Sequence, residues 1–303
     1  MSKEHHDERA ARGRVEQPDK TWITECLRLL KPHVAPGSRV LDIGCGNGET
    51  ADLLRAEMGC QMTCLDYAPS HLARVQAKGH ETICCNLDRE EEVRQVEDQR
   101  RGQYDAVTSL EVVEHMFEPD TLFRLAHAVL KPGGVFVVST PNMAYVGYRL
   151  YSMWRGNLPP SQGHHISFFN ARRLWQQMVI CGFDVEKMEH FGAGEFYLDR
   201  AMGRHGGLFR RGWIRALFWA GLHAGGASLR HSGLIGMGRK SAVQPLGLSG
   251  AVREDAYARM PVPDRREALA RIMPLLPAGK FDEHPDFMRF CEEEWRKLEN
   301  KEG

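Results

Sequence analysis

The side chains best placed for chemistry sit where apolar runs of this sequence end. Val40-Leu-Asp-Ile-Gly-Cys-Gly-Asn-Gly48 is an apolar run that enters Gly44-x-Gly46-x-Gly48, and a helical pattern follows it. Glycines let the backbone take positive φ and pass close to a ligand. The helix N-terminus behind them offers free N–H groups. A dinucleotide fingerprint would need glycine at Glu49, and a phosphate-cradling loop would need Gly-Lys-Ser/Thr, so neither pattern is present. Asp42 inside the run would repel a phosphate; it suits a cationic ligand, such as an amino group or a sulfonium. The next run ends at Asp66, a residue type that accepts from both hydroxyls of a ribose. The third ends at Cys85-Asn-Leu-Asp88, where the Asn86 carbonyl can accept from an adenine amino group and the Leu87 N–H can face a ring nitrogen.

These residues need strands to carry them. Strands are expected at Ser38–Ile43, Gln61–Asp66, Glu81–Cys85, Tyr104–Leu110 and Gly134–Ser139, with helices at 21–31, 49–57 and 70–77. Leu122, Leu125, Ala126 and Val129 keep the period of another helix. A helix at 171–181 and a strand from Gly182 to Glu189 follow, and Leu234–Lys240 reads as a last strand. Strands alternating with helices predict an α/β, Rossmann-like sheet covered on both faces, with ligands bound at the C-terminal strand ends.

Composition narrows the function. Lys plus Arg and Asp plus Glu are 40 each, and this zero balance argues against a dedicated nucleic-acid binder. No stretch approaches the roughly 20 apolar residues of a membrane span. The charged first twenty residues have no signal-like apolar core, so a cytoplasmic location is expected. The eight cysteines show no CxxC pair and read as reduced, mostly buried thiols.

Leu41–Gly48, Cys64–Asp66, Cys85–Asp88, Tyr104-Asp-Ala-Val107 and Leu130-Lys-Pro-Gly-Gly134 together resemble the class I S-adenosylmethionine-dependent methyltransferases over about residues 35–190. The resemblance implies a seven-stranded sheet whose last strand is antiparallel. It implies S-adenosylmethionine as cofactor. Asp42 and the glycine loop (Gly44, Cys45, Gly46, Gly48) would hold its methionine part, Asp66 the ribose, and Asn86 with Leu87 the adenine, with Tyr67 a further cofactor-binding residue. Leu110 and Glu111 close the same site. The family more often has Asp where Asn86 stands.

Ser109-Leu-Glu-Val-Val-Glu-His-Met-Phe117 resembles the ubiquinone-biosynthesis O-methyltransferase group, in which the corresponding acids and histidine are associated with a divalent metal. Glu111, Glu114 and His115 are thus a candidate Mg²⁺ set, or else acids that cap the next helix. Thr140-Pro-Asn142, the Arg149–Pro159 stretch and the later histidines resemble methionine-biosynthesis protein W. Tyr145, Tyr148, Tyr151 and Trp154 either wall an acceptor pocket or pack as a lid. His164, His165 and His115 are the candidate general bases for an oxygen acceptor, with the His164–His165 pair first.

The expected reaction is O-methylation of a small molecule. Sugar, lipid-headgroup, carbon or nitrogen acceptors are the alternative, as is a non-catalytic protein that binds the cofactor or a partner. Residues 1–20 are expected to be flexible, 21–240 to form the methyltransferase domain with an insertion at about 191–232, and 241–303 to be a helical extension. A helix at Leu208–Leu222 is expected to cover an apolar acceptor, with peripheral membrane contact as its alternative.

Overall fold

A computed structural model describes residues 20–156, 164–193, 226–247 and 257–300. Residues 1–19, most of the expected insertion with its helix at 208–222, and the side chain of Trp154 lie outside this set.

The strands are β1 (Arg39–Ile43), β2 (Gln61–Asp66), β3 (Glu81–Cys84), β4 (Tyr104–Leu110), β5 (Leu130–Pro141), β6 (Phe183–Ala193) and β7 (His231–Lys240). They form one seven-stranded sheet in the order β3-β2-β1-β4-β5-β7-β6. β7 alone is antiparallel, pairing with β5 on one side and β6 on the other. This is the sheet expected from the sequence. The order turns back between β1 and β4, the place where open α/β sheets leave a crevice at their C-terminal edge.

Alternation along the strands builds two cores. On one face Leu41, Ile43, Val107, Phe136 and Val138 pack under α4 (Glu90–Arg100), α5 (Pro119–Val129) and α7 (Ala171–Ile180). On the other, Val40, Met62, Cys64, Ala106 and Val137 pack under α1 (Thr21–Leu30), α2 (Glu49–Met58) and α3 (Pro69–Ala77). Phe136 is fully buried and meets Phe123 edge-on, with ring centroids 5.5 Å apart. Each such side chain contributes roughly 1.5–3 kcal/mol of burial.

Two of the longer helices escape the sequence reading. α4 buries only Val93, Val96 and Glu97, too few for a clear apolar stripe. Instead, Glu90, Glu91 and Glu92 in its first turn complement the helix dipole, and Arg94 bonds back to Glu90 at 2.7 Å. α6 (Val146–Arg155) carries the tyrosines. Tyr145 and Tyr148 are buried and stack edge-on at 5.1 Å, whereas Tyr151 is half-buried.

α8 (Ala227–Arg230) precedes β7, and α9 (Val262–Ile272) and α10 (Pro285–Glu299) close the described chain. Leu269, Ile272, Phe281, Phe287 and Cys291 form a third cluster, which packs on Val179 and Ile180 of α7. The C-terminal helices therefore clamp α7 from outside. Arg172 donates to the Gly279 carbonyl and Gln176 to that of Lys280, which adds polar ties. No described helix is long and apolar enough to cross a membrane.

Candidate active site

The glycine turn between β1 and α2 is held in place by hydrogen bonds of the chain itself. Gly44 has φ +74°, and a Cβ there would lie 2.4 Å from Val112 Cγ2, so only glycine lets the turn sit against the exit of β4. The N–H groups of Gly44 and Cys45 both donate to the Leu65 carbonyl, at 2.7 and 3.1 Å. Asp66 then works as a backbone clamp. One oxygen accepts from Gly46 N–H at 3.0 Å and the other from Ala68 N–H at 2.8 Å, with His71 Nδ1 at 3.4 Å. From outside, Arg74 and Lys78 bond the side chain and carbonyl of Asn47. Gly48 opens α2 in the left-handed conformation.

Asp42 is 2% exposed. Thr108 Oγ1 donates to its Oδ1 at 2.7 Å, and Oδ2 has no hydrogen-bond partner. Burial pushes its carboxyl up to about 7, the Thr108 bond opposing and the Asp66 charge adding. A buried, half-satisfied carboxyl at a ligand edge is stabilised by a cation.

This makes ligand affinity pH-dependent. A ligand ammonium seated against Asp42 would need its carboxyl ionised, so below about 7 such binding would first expel a proton. The expected affinity for S-adenosylhomocysteine rises by up to about tenfold per pH unit and levels off above that value. The free protein is expected to follow the opposite trend: the contribution of Asp42 to stability is complete below the ordinary aspartate range and is lost as pH rises through about 7. Calorimetry in buffers of different ionisation enthalpy measures the released proton, and Asp42→Asn removes the pH dependence. A flat profile in the unaltered protein would refute the role of Asp42.

The other cofactor candidates take more modest places. Cys45 is buried, with its thiol turned to the Gly46 carbonyl and Cys64, so only its backbone faces the crevice. Asn86 Oδ1 accepts from Asp88 N–H at 3.0 Å and is thus committed to a turn, keeping one lone pair for a ligand. Tyr67, Leu87 and Leu110 are half-buried around the same edge.

The exit of β4 carries the second half of the site. Glu111 has φ +57° and is the one non-glycine residue with positive φ among those described. Such strain persists where surroundings enforce it. Here the Glu111 N–H lies 3.2 Å from both the carbonyl and the hydroxyl of Ser139, and that hydroxyl donates to Glu111 Oε1 at 2.8 Å. Burial pushes the Glu111 carboxyl up to about 7.

Glu114 is 2% exposed, in a short 3₁₀ turn. Thr140 Oγ1 donates to its Oε2 at 3.2 Å, and its Oε1 has no hydrogen-bond partner. Burial and the Glu111 charge hold its carboxyl well above the usual range. Its carbonyl accepts from Ile166 and Ser167 N–H, at 2.9 and 3.0 Å. Those two bonds dock the segment before α7 onto the turn and set His165 beside Glu114. The Nε2 atoms of His115 and His165 each lie 4.0 Å from Glu114 Oε1, and the two rings meet edge-on at 4.7 Å. Burial, with His115 and His164 adding, pushes His165 down to about 4 and leaves its ring neutral near pH 7.

The structure separates residues that the sequence left as alternatives. The His164 side chain is exposed, and it is its carbonyl that lies 3.3 Å from His115 Nδ1, so His165 is the member of the pair that meets Glu114. Glu111 turns to Ser139 and is no member of the candidate metal set. The ligand atoms that lie within 4.8 Å of one another belong to Glu114, His115 and His165. Two imidazoles and one carboxylate do not match the all-oxygen shell of Mg²⁺; that donor set suits a softer divalent ion. Thr108, Ser139 and Thr140 each donate to one of Asp42, Glu111 and Glu114, a role that the sequence did not assign to them. Their signal is hydroxyl residues closing otherwise apolar central strands.

A family model described as a methyltransferase domain matches residues 14–188. The ubiquinone biosynthesis O-methyltransferase of Xanthomonas campestris pv. campestris is 35% identical over 140 residues, 44% of this chain and 57% of that protein. Its counterpart in Xanthomonas axonopodis pv. citri is 33% identical over 150 residues, 47% of this chain and 61% of that one. The chain thus spans little more than half the length of these relatives. Among solved structures, a chain from the complex of the Haloferax volcanii Trm112 methyltransferase activator with a methyltransferase superposes with a TM-score of 0.54 at 17% identity, over 80% of this chain and 98% of that one. A SAM-dependent methyltransferase from Archaeoglobus fulgidus gives 0.50 at 18% identity, over 74% and 96%. These two share the fold.

Proposed function

We infer, because the chain belongs to the class I S-adenosylmethionine-dependent methyltransferases, that it methylates an oxygen of a small molecule by direct displacement. The observation that carries this reading is Asp42, whose buried unpartnered oxygen at the crevice is a seat for the cofactor's ammonium group. Asp66 would hold the ribose, and the Asn86–Leu87 turn the adenine edge. When bound, S-adenosylmethionine supplies a methyl group made electrophilic by its sulfonium. The protein's task is then to align an acceptor oxygen, exclude water and take away a proton.

For that proton we assign His165, neutral and with its Nε2 4.0 Å from Glu114 Oε1. With Glu114 ionised, a proton arriving on His165 makes a neutral pair of opposite charges. With Glu114 protonated, the same transfer leaves a half-buried imidazolium uncompensated. Phe117 and Ile166, 69% and 43% exposed, stand two residues from His115 and one from His165, which supports an acceptor with an apolar ring. The names of the Xanthomonas relatives support oxygen as the methylated atom.

Calorimetric titration with S-adenosylmethionine and S-adenosylhomocysteine, followed by transfer of labelled methyl to catechols, tests the reading. Micromolar binding of both and label in the catechol are expected. Binding without transfer to any hydroxyl acceptor would remove the O-methylation reading. A folded protein that binds neither compound would remove the cofactor reading as well.

A further inference from the structure

Because β7 runs antiparallel, it begins at the edge where β5 ends, and Pro141 pairs with Gly233. Asn142, fully buried, ties this corner together. Its N–H donates to the Ser232 carbonyl at 2.7 Å, and its side-chain amide donates to the carbonyls of Ser228 and His231, at 2.6 and 2.9 Å. Thr140, which holds Glu114, pairs with Leu234, so His231 and Arg230 are thereby fixed three and four residues along the chain from that pair.

Among the described residues the corner is rich in donors and poor in acids. Arg230 is half-buried, its Nε has no hydrogen-bond partner, and it forms no ion pair among the described residues. His190 on β6 also leaves a buried Nε2 without a partner. The His190 and His231 rings lie 6.4 Å apart, and His231 Nδ1 is 3.2 Å from the Ala227 carbonyl, so its Nε2 is left for another group. Glu189, the nearest acid in sequence, is paired with Arg28. A guanidinium whose Nε lacks a partner, close to His231 and through it to His190, is a donor set for a carboxylate or phosphate.

We propose that Arg230, with His190 and His231, binds a carboxylate or phosphate carried by the acceptor, so that the preferred substrate is an anionic hydroxy compound. This rests on the methyltransferase reading and adds the substrate class.

The test compares 3,4-dihydroxybenzoate with 3,4-dihydroxybenzamide as acceptors, and titrates inorganic phosphate into the S-adenosylhomocysteine-loaded protein while following the histidine ring resonances by NMR. The acid is expected to exceed the amide about tenfold in kcat/KM, equivalent to about 1.4 kcal/mol. In Arg230→Gln that ratio falls towards one through KM, and Arg230→Lys restores part of it. Millimolar phosphate shifts the His190 and His231 resonances in the unaltered protein and leaves them in place in Arg230→Gln. An acid-to-amide ratio equal in the two proteins would overturn the proposal. If neither acceptor is methylated, the phosphate titration decides: rings that do not respond overturn it. A phosphate response without acid preference also overturns the acceptor assignment, since the corner would then hold a free anion. Failure to bind S-adenosylhomocysteine is a separate outcome, because it removes the methyltransferase reading itself.

Discussion

Asp66→Ala lowers affinity for S-adenosylhomocysteine about a hundredfold. The carboxylate holds Gly46 N–H and Ala68 N–H, one on each oxygen, and is 7% exposed. Hydrogen bonds to a charged acceptor contribute about 1.5–3 kcal/mol each, and a buried N–H left alone costs about 1–3 kcal/mol. The glycine turn then has no reason to keep the conformation a ligand needs, and the ribose loses its acceptor as well. Allowing for partial compensation by water, about 3 kcal/mol remains, or two powers of ten in affinity. The thermal midpoint falls in the same variant, because both bonds exist in the free protein. Asp66→Asn keeps one good acceptor and loses less. Calorimetry gives the affinities; an Ala variant that binds within threefold of the unaltered protein would disconnect Asp66 from the cofactor.

The larger effect is on turnover. His165→Ala is expected to lower kcat by about 10²–10⁴, the usual worth of a positioned general base, with S-adenosylhomocysteine affinity almost unchanged. Glu114→Gln should approach the same loss, because the imidazolium then has no counter-charge. His164→Ala keeps the carbonyl near His115 and should leave most of the activity. The pH profile adds a second readout. The competent state has Glu114 ionised, and burial with the Glu111 charge holds that carboxyl well above the usual range. Activity therefore rises with pH through this raised ionisation, and Glu114→Gln flattens the limb. A His165→Ala enzyme within fivefold of the unaltered kcat would mean that the acceptor loses its proton elsewhere.

The two halves of the site differ in how far the sequence discloses them. The cofactor half is written in short stretches. Asp42, the glycines and Asp66 each follow directly from an apolar strand, and the pairing of β1 with β2 is enough to bring them together. The acceptor half depends on contacts between distant segments. Nothing in the letters around His165 shows that the Glu114 carbonyl will accept from Ile166 and Ser167, so the choice between His164 and His165 stays open until the backbone is seen. Asn86 shows the reverse case: the residue type fits a base contact, but local turn chemistry has first claim on its carbonyl. α4 is missed for want of apolar residues, because charge at its first turn does part of the work that a hydrophobic stripe does elsewhere. Arg230 and His231 look like ordinary surface residues until antiparallel β7 brings them to the ligand edge.

The clamp of the C-terminal helices on α7 sets an order for assembly during synthesis. Chains fold from the N-terminus as they leave the ribosome. Strands β1, β2 and β4, with the glycine turn and both of its acids, are all made by Leu110, so the cofactor crevice can take shape early. His165 sits on a segment that runs straight into α7, and α7 is buttressed by Phe281, Phe287 and Cys291. The outer side of α7 therefore stays uncovered until α10 emerges. On the proposed assignment of the two halves, a nascent chain would acquire the means to hold a methyl donor before the base that uses it is fully buttressed.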